Sequence, residues 1–224
     1  TSCCPGWVKF AEHNFHSLLP NLSTCKSPQQ MFGALLKTYY CEKNGLDPND
    51  LFVVSVIPCT AKKFEITRPE MEGDVDAAIT TRELAQMISG AAINFNALKD
   101  EEFDSPFDVA SGAGVIFGAT GGVMEAALRT AANILDGDFK LVDFSEIRGV
   151  NGIRTATYNV AGMEIKVAAA SGLADARKLC EEVESGRSPY HFIEIMACPG
   201  GCINGGGQPI QRHATRNTVP IKEL

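Results

Sequence analysis

Glu194-Ile-Met-Ala-Cys198-Pro-Gly-Gly-Cys202-Ile-Asn-Gly-Gly-Gly-Gln208-Pro209 is the stretch on which the fold and the chemistry of this chain depend. Its first three residues are the end of the apolar run 190–196, which predicts a buried strand. Two cysteines then lie four positions apart in a loop that has five glycines between positions 200 and 207. Glycines at this density let the backbone pass close to a bulky group. A strand that ends in such a loop predicts a site for an inorganic cofactor, and further ligands must come from elsewhere in the chain.

Composition limits the class of protein. The chain has 224 residues, 45% of them hydrophobic and 21% charged, and a formal net charge of −7 with no basic block. These values are ordinary for a globular protein and argue against nucleic acid or anionic lipid as partners. The sequence has no run of 18 or more apolar residues, so we expect no membrane span. The chain begins at Thr1 without a signal-peptide pattern. We therefore expect a fragment or internal domain of a cytoplasmic protein, with a periplasmic location also open.

The cysteines favour metal ligation. There are eight, at positions 3, 4, 25, 41, 59, 180, 198 and 202. A chain of this length with ample apolar residues does not need disulfides for stability. Cys3 and Cys4 are adjacent, so in an extended segment their side chains point in opposite directions. Cys59 directly follows a predicted strand, as the later pair does. We expect reduced cysteines with a metal cofactor.

Strand and helix patterns alternate along the chain. The β-branched run Leu51–Ile57 predicts a strand buried on both faces, as in a parallel sheet. Thr80-x-x-Glu83 is a capping box that predicts a helix start. Further strands are predicted at 76–79, 141–147, 153–160 and 163–169, and further helices start near residues 5, 27, 123 and 172. The pattern predicts an α/β fold with two lobes, mostly parallel sheets flanked by helices, and an active site in the cleft between them.

Four thiolates hold one iron–sulfur cubane, and the cysteines at 4, 59, 198 and 202 are enough for one. A structural zinc site with four cysteines is the alternative. Zinc usually binds close CxxC pairs, whereas this chain has one Cys-x-x-x-Cys pair and two distant single cysteines. The spacing favours iron–sulfur and leaves zinc open.

Three segments, in this order, resemble the signature motifs of the catalytic domain of the iron-only, or [FeFe], hydrogenases. They are Thr1-Ser-Cys-Cys-Pro-Gly-Trp7, Pro58-Cys-Thr-Ala-Lys-Lys-Phe-Glu65 and the stretch 194–209. Ser27-Pro-Gln-Gln-Met and Phe117-Gly-Ala-Thr-Gly-Gly-Val-Met-Glu125 also resemble the family. The resemblance implies that residues 1–224 are a partial H-cluster domain, without the family's upstream part of that domain and its accessory iron–sulfur domains.

The resemblance also implies a set of iron ligands. Cys4, Cys59, Cys198 and Cys202 would ligate a [4Fe–4S] cubane. Cys202 would in addition bridge to a two-iron subsite that carries CO, cyanide and an azadithiolate. This H-cluster would interconvert protons, electrons and H2. A thiolate has a second lone pair for such a bridge, and the glycines at 205–207 leave room for a bulky cofactor.

Proton transfer and cyanide binding are assigned by the same resemblance. Cys3 would exchange the proton with the bridging amine, since a thiol has an ordinary pKa close enough to neutral for transfer both ways. Ser23 resembles a hydroxyl relay in the family's proton path, whose acidic residues would lie upstream of residue 1. Lys62 would hold a cyanide ligand, because a compact cation anchors an anionic diatomic group.

Four more residues would surround the two-iron subsite. Met196 would pack beside it as a soft wall, Phe117 would line the pocket, and Pro58 and Gln29 would contact the cofactor. One position departs from the family pattern: Ile57 stands before Pro-Cys where the family commonly has Met. That change removes a thioether from the pocket wall and leaves the ligands intact.

Function and partners follow from the resemblance as expectations. The first hypothesis is a hydrogenase that exchanges electrons with ferredoxin or another carrier and receives its cofactor from dedicated maturation proteins. The alternative is a non-catalytic iron–sulfur assembly protein or an H2 sensor that resembles hydrogenases. Assembly relatives lack the doubled cysteine and the Thr-Ala-Lys sequence, and sensory relatives often replace the proton-transferring cysteine. Cys3 and Lys62 together therefore favour catalysis.

Overall fold

The computed structural model describes residues 1–107, 112–136, 147 and 152–210. They form two units, each discontinuous in sequence. Unit 1 contains the described residues of 1–24 and 112–204, and unit 2 contains 25–107 and 205–210. Of the predicted strand 141–147, positions 141–146 lie outside the described residues.

Helices and strands alternate along the chain, which confirms the predicted α/β class. In chain order they are α1 (Pro5–Asn14), α2 (Pro28–Leu35), α3 (Cys41–Asn44), β1 (Val54–Ile57), α4 (Lys62–Glu65), β2 (Ala77–Thr80), α5 (Thr81–Gly90), α6 (Gly112–Ile116), α7 (Gly122–Asp136), β3 (Ile153–Val160), β4 (Met163–Ser171), α8 (Leu173–Glu184) and β5 (Phe192–Met196). A π-helical turn (Leu36–Tyr40) joins α2 to α3, and short 3-10 helices lie at His16–Asn21, Pro48–Asp50, Pro69–Met71, Phe95–Ala97 and Cys202–Asn204. Within the described ranges, none of the helices has the length and apolar character needed to cross a membrane.

Unit 1 is built on the sheet β3-β4-β5, in which β3 is antiparallel to β4 and β5 is parallel to β4. Ala161 and Gly162 join β3 to β4 with φ of +51° and +78°. Two positive φ values are those of a tight hairpin turn whose twist matches that of the strands. The strands predicted at 153–160 and 163–169 are therefore confirmed, and they form a hairpin.

Strand β4 carries the core of unit 1 on both of its faces, because successive side chains of a strand point to opposite sides. Ala168 and Ala170 belong to one cluster, together with residues of α1 and α8, and Val167 and Ala169 belong to another, together with residues of α7. Burial on both sides fixes the register of β4. Its parallel neighbour β5 is thereby fixed as well, and β5 leads into the cysteine loop.

Unit 2 contains the parallel pair β1–β2. The prediction that β1 is buried on both faces is wrong, because Val54 and Val56 are 47% and 49% exposed. The strand is also shorter than Leu51–Ile57. The Asp76 carboxylate accepts the Val53 N–H at 2.6 Å, so that N–H does not take part in a strand ladder. An apolar run predicts a strand but does not say which of its faces is covered.

Two local signals in unit 2 are confirmed. The Ser27 side chain accepts the N–H of Gln30 at the start of α2, next to Pro28 in the first turn. At the start of α5, Thr80 and Glu83 form the reciprocal capping box. Both caps use donors and acceptors only three residues apart, which is why the sequence alone identifies them.

Candidate functional site

Unit 1 brings the first and third cysteine motifs together. The backbone nitrogen of Thr1 donates to the Ile193 carbonyl at 3.0 Å, and the N–H of Ile195 donates to the Thr1 hydroxyl at 3.2 Å. At the end of β5, the Ala197 N–H donates to the Cys4 sulfur at 3.5 Å. The segment before α1 therefore lies along β5 and places Cys4 beside the residue that precedes Cys198.

Close packing fixes this junction. Cys4 is 8% exposed and belongs to the core of unit 1. A Cβ added at Gly6 would lie 3.3 Å from the Cβ of Ala197, tighter than usual for such a contact. The indole N–H of Trp7 donates to the Thr1 carbonyl at 3.0 Å. Glycine and tryptophan in the first motif thus hold its cysteines against the third motif.

The loop between Cys198 and Cys202 is held by backbone contacts. The Gly200 N–H donates to the Ser171 hydroxyl at 2.7 Å, and the Ile203 N–H donates to the Gly118 carbonyl at 3.0 Å. Gly201 has φ +104°, and a Cβ there would lie 2.4 Å from the Gly118 oxygen. Only glycine fits at this position, because the backbone of the turn before α7 occupies the space of a side chain.

Glu194 is a buried carboxylate that sequence reasoning did not single out. It lies in β5, and its two oxygens accept the N–H of Gly121 at 2.7 Å and of Met124 at 2.6 Å, at the start of α7. Burial raises the pKa of Glu194, and the N–H donors of Gly121 and Met124 act in the opposite direction. An acidic residue within an apolar strand was the available signal. The side chain ties the strand before the cysteine loop to the turn that contacts the loop.

Unit 2 brings the second motif to the glycines at the end of the third. The Gly207 N–H donates to the Pro58 carbonyl at 2.7 Å, and the Gly207 carbonyl accepts the Arg82 N–H at 3.1 Å. A Cβ at Gly207 would lie 2.7 Å from the Cβ of Thr80. The glycine run therefore passes directly beside the backbone that leads into Cys59, at the end of β1.

Lys62 lies in a buried polar cluster of unit 2. Its side chain is 6% exposed, and its ammonium donates to both carboxylate oxygens of Glu65 at 2.9 Å. Gln29 is also buried and donates to Glu65 Oε2 at 3.3 Å, while its own oxygen accepts the Ser55 hydroxyl at 2.8 Å. The structure thus joins two residues predicted to bind the cofactor, Lys62 and Gln29, through a carboxylate to which sequence reasoning gave no role.

The other predicted residues occupy different environments. Met196 is 2% exposed at the end of β5, and Phe117 is half-buried in the turn before α7. The Ser2 hydroxyl donates to the Ser23 carbonyl at 2.7 Å, so the segment that carries Cys3 contacts the Ser23 backbone. Ile57, the position that departs from the family pattern, is half-buried at the end of β1.

The four predicted iron ligands are divided between the units. Cys4, Cys198 and Cys202 belong to unit 1 and Cys59 belongs to unit 2. Among the described residues, no group of three or more His, Cys, Asp or Glu side chains lies close enough to hold one metal ion. Ligation by these four cysteines therefore stays a prediction.

Residues 1–206 match the family model described as the iron-only hydrogenase large subunit, C-terminal domain. The chain belongs to this family. It is 52% identical over 215 residues to the periplasmic [Fe] hydrogenase large subunit of Nitratidesulfovibrio vulgaris, covering 94% of this chain and 51% of that protein. A solved variant of the [FeFe]-hydrogenase HydA1 from Chlamydomonas reinhardtii is similar with a TM-score of 0.78 and 37% identity, covering 99% of this chain and 63% of that one.

A second kind of relative is named for cluster assembly. The cytosolic iron-sulfur assembly component 3 of Bos taurus is 35% identical over 219 residues, covering 93% of this chain and 46% of that protein. The chain thus spans about half the length of these curated relatives. Family membership and the mixed α/β fold are shown, and the relatives include proteins named for hydrogenase activity and for iron–sulfur assembly.

Proposed function

We propose that this chain is the main part of the catalytic domain of an [FeFe]-hydrogenase, which interconverts protons, electrons and H2. One observation carries the proposal. The chain has a cysteine and a buried lysine, Cys3 and Lys62, that catalysis uses and that four-cysteine ligation of a cubane does not need. Its 52% identity to a protein named as a hydrogenase supports the same function.

The residues present fit an H-cluster. Cys4 sulfur accepts a backbone N–H at 3.5 Å, a contact that favours the negative charge of a metal-bound thiolate. The cation of Lys62 is buried, which suits an anionic ligand better than a solvated one would. Cys4, Cys59, Cys198 and Cys202 would hold the cubane, with Cys202 bridging to the two-iron subsite. When bound, the cofactor would supply the redox chemistry of the reaction.

The chain's own residues would move the proton and hold the subsite. Cys3 is adjacent to the predicted ligand Cys4 and is not one of the four predicted ligands, so its thiol would exchange the proton beside the cluster. The Ser23 backbone contacts the residue before Cys3, which supports the proposed place of Ser23 next in the proton path. Lys62, Gln29, Pro58, Met196 and Phe117 would contact the subsite. Ferredoxin or another electron carrier would be the redox partner of the protein.

Infrared spectroscopy tests the proposal on the full-length protein produced together with maturation factors. We expect CO and cyanide bands, and we expect Cys3→Ala to keep those bands while turnover falls by about 100-fold or more, because a positioned proton donor contributes rate and not ligation. Cys25→Ala, which removes an exposed thiol, is the matched control and should retain activity.

Iron–sulfur assembly is the second candidate, and the similarity to the Bos taurus assembly component favours it. A protein that binds iron and sulfide but shows no CO or cyanide bands after maturation would contradict the hydrogenase proposal and support this one. Full activity of Cys3→Ala would contradict the proton-transfer role of Cys3 but not the hydrogenase proposal. The cytoplasmic location stays a prediction, and the Nitratidesulfovibrio relative is named as periplasmic.

A further inference from the structure

Glu65 is the centre of the buried polar cluster in unit 2. Its side chain is 5% exposed, and both of its oxygens accept the Lys62 ammonium at 2.9 Å. The two residues lie three positions apart on the single turn of α4. An exposed pair of this kind on a helix surface contributes little stability, but this pair is almost completely buried.

Three neutral donors fix the position of the carboxylate. Glu65 Oε2 accepts the Ser27 hydroxyl at 2.8 Å, the Gln29 amide at 3.3 Å and the Gln30 amide at 3.4 Å. All three come from the start of α2. Gln29 is in turn held by the Ser55 hydroxyl of β1 at 2.8 Å. The carboxylate is therefore bound directly to α2 and to Lys62 of its own helix α4, and through Gln29 to β1. It cannot rotate without breaking several hydrogen bonds.

The cost of burying the lysine charge explains why such a network is present. A lone buried ammonium is strongly disfavoured, and a carboxylate with satisfied hydrogen bonds offsets that cost. A lysine side chain has four rotatable bonds, and its ammonium is a point charge without directional preference of its own. Binding to both oxygens of an immobile carboxylate gives Lys62 a fixed place and keeps its charge.

We infer that Glu65 is a positioning residue: it holds the Lys62 ammonium, charged and fixed in place, for an anionic diatomic ligand of the bound cofactor. The inference rests on the proposed function, in which that ligand is a cyanide of the two-iron subsite. Glu65 itself would touch no part of the cofactor. It would act through Lys62, and the donors of α2 would act through Glu65.

Loading of the subsite tests this role with a readout other than turnover. The full-length protein carrying its cubane is incubated without oxygen with a synthetic two-iron complex of CO, cyanide and azadithiolate, and unbound complex is removed. Infrared bands then give the retained fraction and the cyanide stretching frequency. For Glu65→Gln we expect about tenfold lower retention, equivalent to about 1.4 kcal/mol, and a displaced cyanide band.

The pair formed by Lys63 and Glu83 provides the matched control, since it is a neighbouring lysine–glutamate pair at 2.5 Å with both side chains about 40% exposed. Glu83→Gln should retain the subsite with wild-type band positions. If Glu65→Gln does not fold, as judged by circular dichroism, Glu65→Asp replaces it. That variant keeps the charge but withdraws the carboxylate by one methylene, and we again expect a displaced cyanide band.

The outcomes separate the two proposals. Cyanide bands in the wild type that are unchanged in frequency and retention in folded Glu65→Gln or Glu65→Asp overturn the positioning role, even if the variant is less stable. Absence of CO and cyanide bands from the wild type overturns the hydrogenase function and the role of Glu65 with it. A displaced band in Glu65→Gln together with a wild-type band in Glu83→Gln supports the inference.

Discussion

The two units hold their candidate site residues by different means. In unit 1 the loop between Cys198 and Cys202 is fixed by backbone hydrogen bonds and by glycines whose side-chain space is filled by other backbone. In unit 2 Lys62 is fixed by a charged side chain, Glu65, and by neutral side chains from α2. A close backbone contact is lost when a side chain is added at a glycine, because the space is already filled. A side-chain network is lost when a charge, a hydrogen-bond donor or an acceptor is removed. The loop between Cys198 and Cys202 should therefore be intolerant of added atoms, and the cluster around Lys62 of lost charge.

The largest effect is expected for Gly201→Ala, which tests the volume limit in unit 1. The new Cβ would lie 2.4 Å from the Gly118 oxygen at a φ of +104°. We expect the free energy of unfolding to fall by about 3 kcal/mol or more, since backbone must move and the φ is strained. Urea denaturation of the full-length protein followed by circular dichroism measures it.

Gly172→Ala is the control for backbone strain alone. Gly172 has a φ of +103°, and nothing lies within 4 Å of the Cβ it would gain. We expect a loss of about 2 kcal/mol, because φ +103° with ψ 152° lies in a region that essentially only glycine adopts. Equal losses in the two variants would mean that strain, and not contact with Gly118, decides the cost at Gly201.

A smaller effect, dependent on pH, is expected at Glu194. In unit 1 this residue differs from the glycines, because its carboxylate holds the backbone N–H groups of Gly121 and Met124. Burial raises the folded-state pKa of Glu194 above its ordinary value of 4.5. The folded protein therefore binds the proton more tightly than the unfolded chain, and the stabilising contribution present below pH 4.5 is lost as pH rises through the folded value. Glu194→Gln should gain stability relative to wild type as pH rises from 4.5.

Unfolding free energies of Glu194→Gln and of the wild type, measured at a series of pH values, give this trend. If Glu194→Gln instead loses stability relative to wild type as pH rises, the N–H groups of Gly121 and Met124 affect the pKa of Glu194 more than desolvation does. The capping of α7 would then be the dominant role of this carboxylate.

The smallest effect, and one of opposite sign, is expected at Glu83 in unit 2. The Lys63 ammonium, with the N–H and hydroxyl of Thr80, lowers the pKa of Glu83 from 4.5 to about 2. Its contribution is therefore present above pH 4.5 and is lost as pH falls through about 2. Glu83→Gln should gain stability relative to wild type in that range, and high salt should weaken the difference because the pair is exposed. Curves that stay parallel from pH 4.5 to 2 would contradict the depressed pKa.

Local signals made much of the fold predictable. Some features involve only residues close in sequence, such as the capping box at Thr80 and Glu83 and the turn at Ala161-Gly162. A short sequence pattern contains the residue types that these features require. Burial of β1 was not predictable, since an apolar run is compatible with one covered face or two. The side-chain bond between Asp76 and Val53, 23 positions apart, shortens that strand and has no local signal.

In the candidate site, too, features with a local sequence signal could be predicted and contacts between distant residues could not. Cysteine spacing and the family resemblance identified the motifs, but neither gave a role to Glu65 or Glu194. Ser27 and Gln29 reach Glu65 across 38 and 36 positions, and Gly121 reaches Glu194 across 73. Such partners are defined by the tertiary structure, and a carboxylate in a motif or a strand is all that the sequence displays.

The pairing of the first residues with β5 has a consequence for how the protein is made. Thr1 contacts Ile193 and Cys4 contacts Ala197, so these bonds join positions 192 and 193 apart. A ribosome releases Cys3 and Cys4 well before it has translated their partners, and during that interval the thiols are open to oxidation and to stray metals. Four-cysteine ligation would therefore be possible only after translation has passed Cys202, and until then the early cysteines depend on oxygen-free conditions.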